Sequence, residues 1–245
     1  MQHNVPDMSR RAQPAELLEL MDGPCSREEM RACLRDLARA NAWLHGNRPT
    51  IKWLSTFLDK LAMTRQPLRI LDVGCGDGDA LRGMARWAKR NRIEVRLIGL
   101  DLSVDAISIA KEATPPDCEI EFVATNVFEY EPQARVDVIV CSLFTHHLND
   151  EEIVRFIGWM ETHARLGWFV NDLSRAATPY RLFKLLAKAA RWHKFVQHDG
   201  PVSVARAFKP DDWRRLCAAA GLTEGDYSIL SYIPARLCVA RRKRA

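Results

Sequence analysis

The sequence predicts an α/β fold: a doubly wound, mostly parallel sheet of seven strands, with a helical cap before it and a helical insertion after its fifth strand. Three observations carry this reading. From Leu68 onward, short apolar runs alternate with amphipathic helical segments. The runs are apolar throughout, as strands covered on both faces require. The right-handed crossover rule then places helices on both sides of one sheet.

The chain has 245 residues, 47% of them hydrophobic and 27% charged, enough for one sizeable core. Lys and Arg number 36 against 31 Asp and Glu, a net charge of +5. That near balance argues against a nucleic-acid partner. Seven cysteines with no C-x-x-C pair argue against a zinc site and against a disulfide scaffold, so no metal is expected. The opening "MQHNVPDMSRRAQPAE" has no apolar signal core, and no apolar run is long enough to span a bilayer. A soluble, cytoplasmic protein is expected.

Residues 1–14 are polar with two prolines and are expected to fray. Ser26 and Glu29 form a capping box for a helix over about 26–44, with Met30, Cys33, Leu34, Leu37 and Leu44 at helical spacing. "GNRP" breaks it, and a second helix around 50–62 carries Ile51, Leu54, Leu58 and Leu61. Both precede the first strand, so residues 1–64 read as a cap and 65–245 as the main domain. Five strands follow: 69–73, 95–101, 120–125, 136–142 and 167–172. Helices over 79–91, 103–113 and 150–164 lie between them, the second capped by Ser103 and the third preceded by Asn149. The insertion 179–208 reads as a helix over 180–195 and then a Gly-Pro turn. Pro210 opens the next helix and Gly221 closes it. Strands 227–232 and 236–242, joined by "IPA", form a terminal hairpin, and the tail "ARRKRA" reads as a solvated terminus.

The stretch "LRILDVGCGDGDAL" sets Gly74, Gly76 and Gly78 after a strand and at the start of a helix. Such a turn lets backbone approach a ligand closely. A dinucleotide fingerprint requires glycine at position 79, which is Asp79, and no Gly-Lys-Ser/Thr follows for a phosphate loop. Asp72, Asp77 and Asp79 would also oppose a phosphate, at a cost of about 1 kcal/mol per close pair even in water. These carboxylates suit a ligand that carries positive charge.

"ILDVGCGDG" resembles the first motif of the class I S-adenosylmethionine-dependent methyltransferases, whose donor carries a sulfonium and an ammonium and no phosphate. "IGLDLS", "FVATNVFEY" and "VDVIVCSLFTHHL" resemble the family's later motifs, in order, over about 68–172. The resemblance implies a Rossmann-like methyltransferase fold and S-adenosylmethionine as cofactor. It implies a cofactor site of Asp72, Gly74, Cys75, Gly76, Asp77, Gly78, Asp101, Leu102, Asn126, Val127 and Ser142. Asp101 ends the second strand 23 residues after Gly78, near the spacing of a ribose-binding acid. Asn126 stands where the family often has Asp; its carbonyl can still accept from the adenine amine.

Methyl transfer is an in-line displacement that requires alignment, and a phenolic or enolic acceptor must also lose a proton. His146 and His147 follow the fourth strand, at the edge where ligands lie in such sheets. Asp172 ends the fifth strand on the same rim, either for catalysis or paired with Arg175. His198 lies in the insertion and could face the acceptor, while Arg206 reads as a surface ion pair, with binding of an acidic substrate group as the alternative. These four, His146, His147, Asp172 and His198, are the catalytic candidates. The insertion interleaves apolar residues with Lys184, Lys188, Arg191 and Lys194, so it either lids the core or presents a basic amphipathic surface to a lipid-like substrate or an anionic membrane. Trp43, Trp53 and Trp192 are candidate pocket walls.

"CLRDLARANAWLHGNR" and "HDGPVSVARAF" look similar to bacterial methyltransferases of polyketide and phenolic-lipid tailoring. The expected activity is transfer of a methyl group to a hydroxyl oxygen of a small hydrophobic acceptor. Carbon methylation of a quinone-like ring, RNA or protein methylation, and non-catalytic binding are the alternatives. The Asn/Asp-Pro-Pro-Tyr signature of planar nitrogen substrates is absent after the fourth strand.

Overall fold

A computed structural model describes residues 6–58 and 66–243. Seven strands form one sheet: β1 (Leu68–Val73), β2 (Val95–Asp101), β3 (Ile120–Ala124), β4 (Val136–Ser142), β5 (Ala164–Leu173), β6 (Tyr227–Tyr232) and β7 (Arg236–Arg242). Their order is β3-β2-β1-β4-β5-β7-β6. β1 to β5 pair in parallel, and β7 runs antiparallel to both β5 and β6.

The helices among the described residues are α1 (Arg27–Trp43), α2 (Arg48–Ser55), α3 (Asp79–Asn91), α4 (Val104–Ala113), α5 (Asp150–His163), α6 (Ala177–Ala189), α7 (Lys194–Arg206) and α8 (Pro210–Ala219). Successive strand residues point to opposite faces. Ile70, Val138, Val140 and Phe169 pack one way, against α2, α3 and α4. Leu71, Ile139, Cys141, Trp168 and Val170 pack the other way, against α5 and α8. This two-sided burial is what the unbroken apolar runs predicted.

Above the carboxyl ends of the parallel strands lies a third layer of α1, α6, α7 and the segment before α1. Cys33 and Ala40 of α1 meet Ala187, Trp192, Phe195 and Val196 there. The Ser26–Glu29 capping box and the Asn149 and Ser103 caps are present.

Several expectations are corrected. α2 is part of the sheet's cover, not of the cap: Leu54 is fully buried and Trp53 stacks on Phe169 at 5.1 Å. Trp53 is therefore core and not a pocket wall, whereas Trp43 and Trp192 pack together in the roof, 5.9 Å apart. Leu61 lies outside the described residues. The segment from Pro6 is docked and not frayed: Arg11 is buried, and its guanidinium donates to Arg206 O at 2.8 Å and to Asp150 at 2.7 Å. Arg241 pairs with Glu161 and Asp226, and Lys243 pairs with Glu161, so the tail is held down as far as it is described.

The insertion is two helices, and Gly200-Pro201 is not a turn but lies inside α7. The glycine serves packing. A Cβ at Gly200 would stand 1.9 Å from the Phe183 ring of α6, so only a bare backbone lets the two helices touch. Gly200→Ala should lower stability by roughly 1–3 kcal/mol, as overpacking does. Urea midpoints of the wild type, Gly200→Ala and Gly200→Ala/Phe183→Leu check this, with the double variant recovering much of the loss.

Candidate active site

The site begins where β1 runs out. Gly74, Gly76 and Gly78 all adopt positive φ, at 71°, 54° and 79°. The turn is also tightly covered: a Cβ at Gly74 would meet Phe144 at 2.7 Å, and one at Gly78 would meet Phe122 at 2.9 Å. Gly74 N and Cys75 N both donate to Leu100 O, at 2.8 and 2.9 Å, which ties the turn to the end of β2. Asp101 completes the tie. Its two oxygens accept from Gly76 N and Ser103 N, each at 2.9 Å.

Asp77 has a separate job. It accepts from Asp79 N at 3.2 Å and pairs with Arg82 at 3.1 Å, so it orders the loop. Asp79 accepts from Asn47 at 3.2 Å, across the α1–α2 corner. Burial raises the pKa of Asp72, Asp79 and Asp101; for Asp72 the charges of Asp79 and Asp101 add to it. Burial likewise pushes up the Cys75 thiol, which stays neutral. Neither Asp72 nor Asp101 has an ion-pair partner among the described residues. A ligand with positive charge beside Asp72 and hydroxyls beside Asp101 would offset this cost.

Asn126 caps the turn Val127–Glu129 by accepting from Phe128 N at 3.0 Å, leaving one lone pair of its oxygen for a ligand. Val127 is buried, and Leu102 is exposed beside Asp101. Of the buried side-chain polar atoms without a protein partner among the described residues, two belong to strand ends here, Ser142 Oγ at the end of β4 and Arg236 Nη1 at the start of β7. The other Arg236 nitrogen donates to Asn41 at 2.7 Å. Such orphans cost free energy unless a ligand satisfies them. The donor set fits S-adenosylmethionine: acids for its cationic groups, Asp101 for ribose and an unpaired guanidinium for a carboxylate.

The second half of the site lies over β4 and β5. Asp172 is fully buried and accepts from Thr145 Oγ1 at 2.6 Å, His146 N at 3.2 Å and Leu173 N at 2.7 Å. Its Oδ1 lies 2.8 Å from His146 Nδ1. Burial opposes its ionisation, but His146 and Thr145 outweigh burial and hold it well below the usual carboxylate range. A carboxylate there assigns the Nδ1–H tautomer to His146 and leaves Nε2 as an acceptor. The expected Asp172–Arg175 pair does not form, because Arg175 instead pairs with Asp212 at 2.7 Å.

The roof brings acids that sequence reasoning missed. Glu19 Oε1 stands 3.9 Å from His146 Nε2, and Glu19 Oε2 3.6 Å from His147 Nδ1. His147 Nδ1 lies 3.2 Å from Asp22. Arg206 is not on the surface. It is fully buried, donates to Leu17 O, and pairs with Asp22 at 3.0 Å and Glu19 at 3.4 Å. Asp199 holds the same segment by accepting from Leu20 N and Met21 N, at 2.8 and 3.0 Å. His198 pairs with Asp199 at 2.8 Å and faces outward, so the structure does not bring it to the histidine pair. No motif or periodicity marks Glu19 or Asp22; only the folded roof places them.

Glu19, His146 and His147 bring ligand-type atoms within 4.8 Å of one another. A divalent cation could span that gap. Arg206 already compensates the carboxylates of Glu19 and Asp22.

Residues 70–167 match a family model described as a methyltransferase domain. The chain is 28% identical over 166 residues to a ubiquinone biosynthesis O-methyltransferase of Paracidovorax citrulli, covering 64% of either chain. Among solved structures, the plantazolicin methyltransferase BpumL in complex with SAH superposes with a TM-score of 0.62 at 15% identity, covering 88% of this chain and 96% of that one. Human N-acetylserotonin methyltransferase in complex with SAM gives 0.62 at 12% identity, over 96% of this chain and 63% of that one. These structural likenesses establish a shared fold.

The roof contact has a pH signature. Burial by itself lowers the His147 pKa, but the hydrogen bond to Asp22 and the charge of Glu19 raise it above the ordinary value. This contact therefore stabilises the fold fully below about pH 6.5 and fades as pH rises through the higher folded value. Asp22→Asn should flatten that loss, read from urea midpoints between about pH 5 and about pH 8.5.

Proposed function

The chain belongs to the class I S-adenosylmethionine-dependent methyltransferases, and we propose that it methylates a hydroxyl oxygen of a small hydrophobic acceptor. The observation that carries this reading is the buried Asp172–His146 pair, with Nε2 left free to accept a proton at the carboxyl rim of the sheet. The P. citrulli relative, named as an O-methyltransferase, supports an oxygen acceptor.

S-adenosylmethionine, when bound, supplies a methyl carbon already activated by its sulfonium. Asp101 would hold the ribose hydroxyls, and Asp72 and Asp79 would offset the charge of the ammonium. Asn126 and Val127 would meet the adenine, and the unpaired Arg236 nitrogen would take the carboxylate. The glycine turn brings backbone close enough for this, and the third layer keeps water out.

His146 Nε2 takes the proton of the acceptor hydroxyl as its oxygen attacks. Asp172 keeps the ring in the right tautomer and stabilises the imidazolium that forms. Glu19 faces the same nitrogen and is placed to accept from a second polar group of the acceptor. A carboxylate and an imidazole at the reacting oxygen suit a weakly acidic hydroxyl such as a phenol or quinol. His147 is a positioning residue, since its Nδ1 is engaged by Asp22.

Methyl release from labelled donor, with a panel of phenols, quinols and RNA, tests the class; turnover of RNA alone, or of nothing in the panel, would overturn it. His146→Gln should lower kcat by roughly 10²–10⁴-fold with donor affinity unchanged. The loss should shrink with more acidic phenols, which need the base less. Asp101→Asn should weaken S-adenosylhomocysteine binding by roughly tenfold or more in calorimetry, because a charged acceptor is lost. Asn is chosen over Ala because its one amide oxygen can still accept from either Gly76 N or Ser103 N.

A further inference from the structure

We infer that the outer face of α6, with Trp43 beside it, docks on an anionic lipid surface. Leu182 and Leu185 of α6 are 60% and 66% exposed, and Trp43 at the end of α1 is 64% exposed. Trp43 is linked to α6 through the aromatic side chains of the roof core. Trp192 lies 5.9 Å from Trp43 and 5.8 Å from Phe183, the residue next to Leu182. α6 turns Phe183, Leu186 and Ala187 inward. Its outward side therefore carries large aliphatic groups that nothing in the fold requires.

Charge says what covers this face. From Leu173 to His198 the chain has no Asp or Glu. Arg181, Lys184, Lys188 and Arg191 lie along α6 and its end, and none forms an ion pair with a described residue, whereas nearby Lys194 pairs with Glu29 at 3.0 Å. Cations flanking exposed leucines and a tryptophan are the composition of a helix lying in a membrane interface. A second copy of the chain is a poor occupant. A two-fold contact would set each patch on its own copy, cations facing cations. A nucleic acid would match the charge but not the exposed leucines. No helix among the described residues is long and apolar enough to cross a membrane, so the contact is peripheral.

The inference does not depend on the proposed acceptor. Lys and Arg near an anionic leaflet are each worth about 1 kcal/mol, and that attraction fades with salt. The full chain should float with phosphatidylcholine–phosphatidylglycerol vesicles at low salt, and much less with phosphatidylcholine alone or at high salt. Lys184→Glu/Lys188→Glu should cut partitioning by roughly a hundredfold. Leu182→Gln/Leu185→Gln should cut it by roughly tenfold. Both variants should keep wild-type affinity for S-adenosylhomocysteine, which reports an intact fold. Failure to bind anionic vesicles, or binding that neither variant weakens, overturns the inference. So does a dimer in light scattering that the leucine variant dissolves while vesicles go unbound.

Discussion

A sheet buried on both faces leaves its strands only their ends for charge, and in this sheet the uncompensated acids lie at the carboxyl ends. β1, β4 and β5 are apolar almost throughout because helices cover both of their sides. Arg69, Asp137 and Arg165 lie at the amino side, where Asp137 and Arg165 pair, while Asp72, Ser142, Asn171 and Asp172 lie at the carboxyl side, with Asp101 closing β2. Each at the carboxyl side is then desolvated by the same packing that makes the strands stable. Desolvation makes a lone carboxylate costly, and so turns each strand end into a demand for a partner. Asp101 meets part of that demand with backbone N–H groups. Asp172 meets all of it with Thr145, His146 and Leu173. Asp72 has no such set, which is why a cationic ligand belongs there.

The roof solves a related problem with the opposite sign. Arg206 and Arg11 are buried cations, and each reaches across to a distant segment. Arg206 gathers Leu17 O, Pro14 O, Glu19 and Asp22, nearly two hundred residues away in sequence. Desolvating such a pair offsets most of its attraction, so its contribution to net stability is small. Its geometric effect is large, because removing either partner strands the other. The segment before α1 is thereby held in one place, and that place sets Glu19 against the histidine pair. The arginine that reads as a surface residue in one dimension is thus what positions an acid beside His146 and His147.

This division explains what the sequence could tell. The sheet, the glycine turn, Asp101 and the caps Ser26, Ser103 and Asn149 were legible because they depend on neighbours within a few residues. The donor side is built almost wholly of such local units. The acceptor side is not. Asp172 was legible as a rim residue but not as the partner of His146, since the competing Arg175 sits three residues away and is captured by Asp212. Gly200-Pro201 misled for a related reason. A glycine before proline ordinarily marks a turn, but here helix–helix contact with Phe183 decides the conformation. Glu19 and Asp22 carry no local signal at all.

The same contrast bears on how chemistry is distributed over the molecule. The glycine turn has little room to change, because its positive φ angles, its tie to Leu100 and the rings of Phe122 and Phe144 fix one backbone path. The roof has no such constraint. α1, α6 and α7 meet through a small apolar cluster of their own, separate from the two clusters that flank the sheet. Residues can therefore vary there without touching the core that orders Asp101 or Asp172. Both the proposed acceptor side and the face inferred to meet lipid lie in that independent layer. A hydrophobic acceptor dissolves poorly in water, so an outward face of leucine, tryptophan and lysine on the acceptor's own roof is where physical chemistry would place the route by which it arrives.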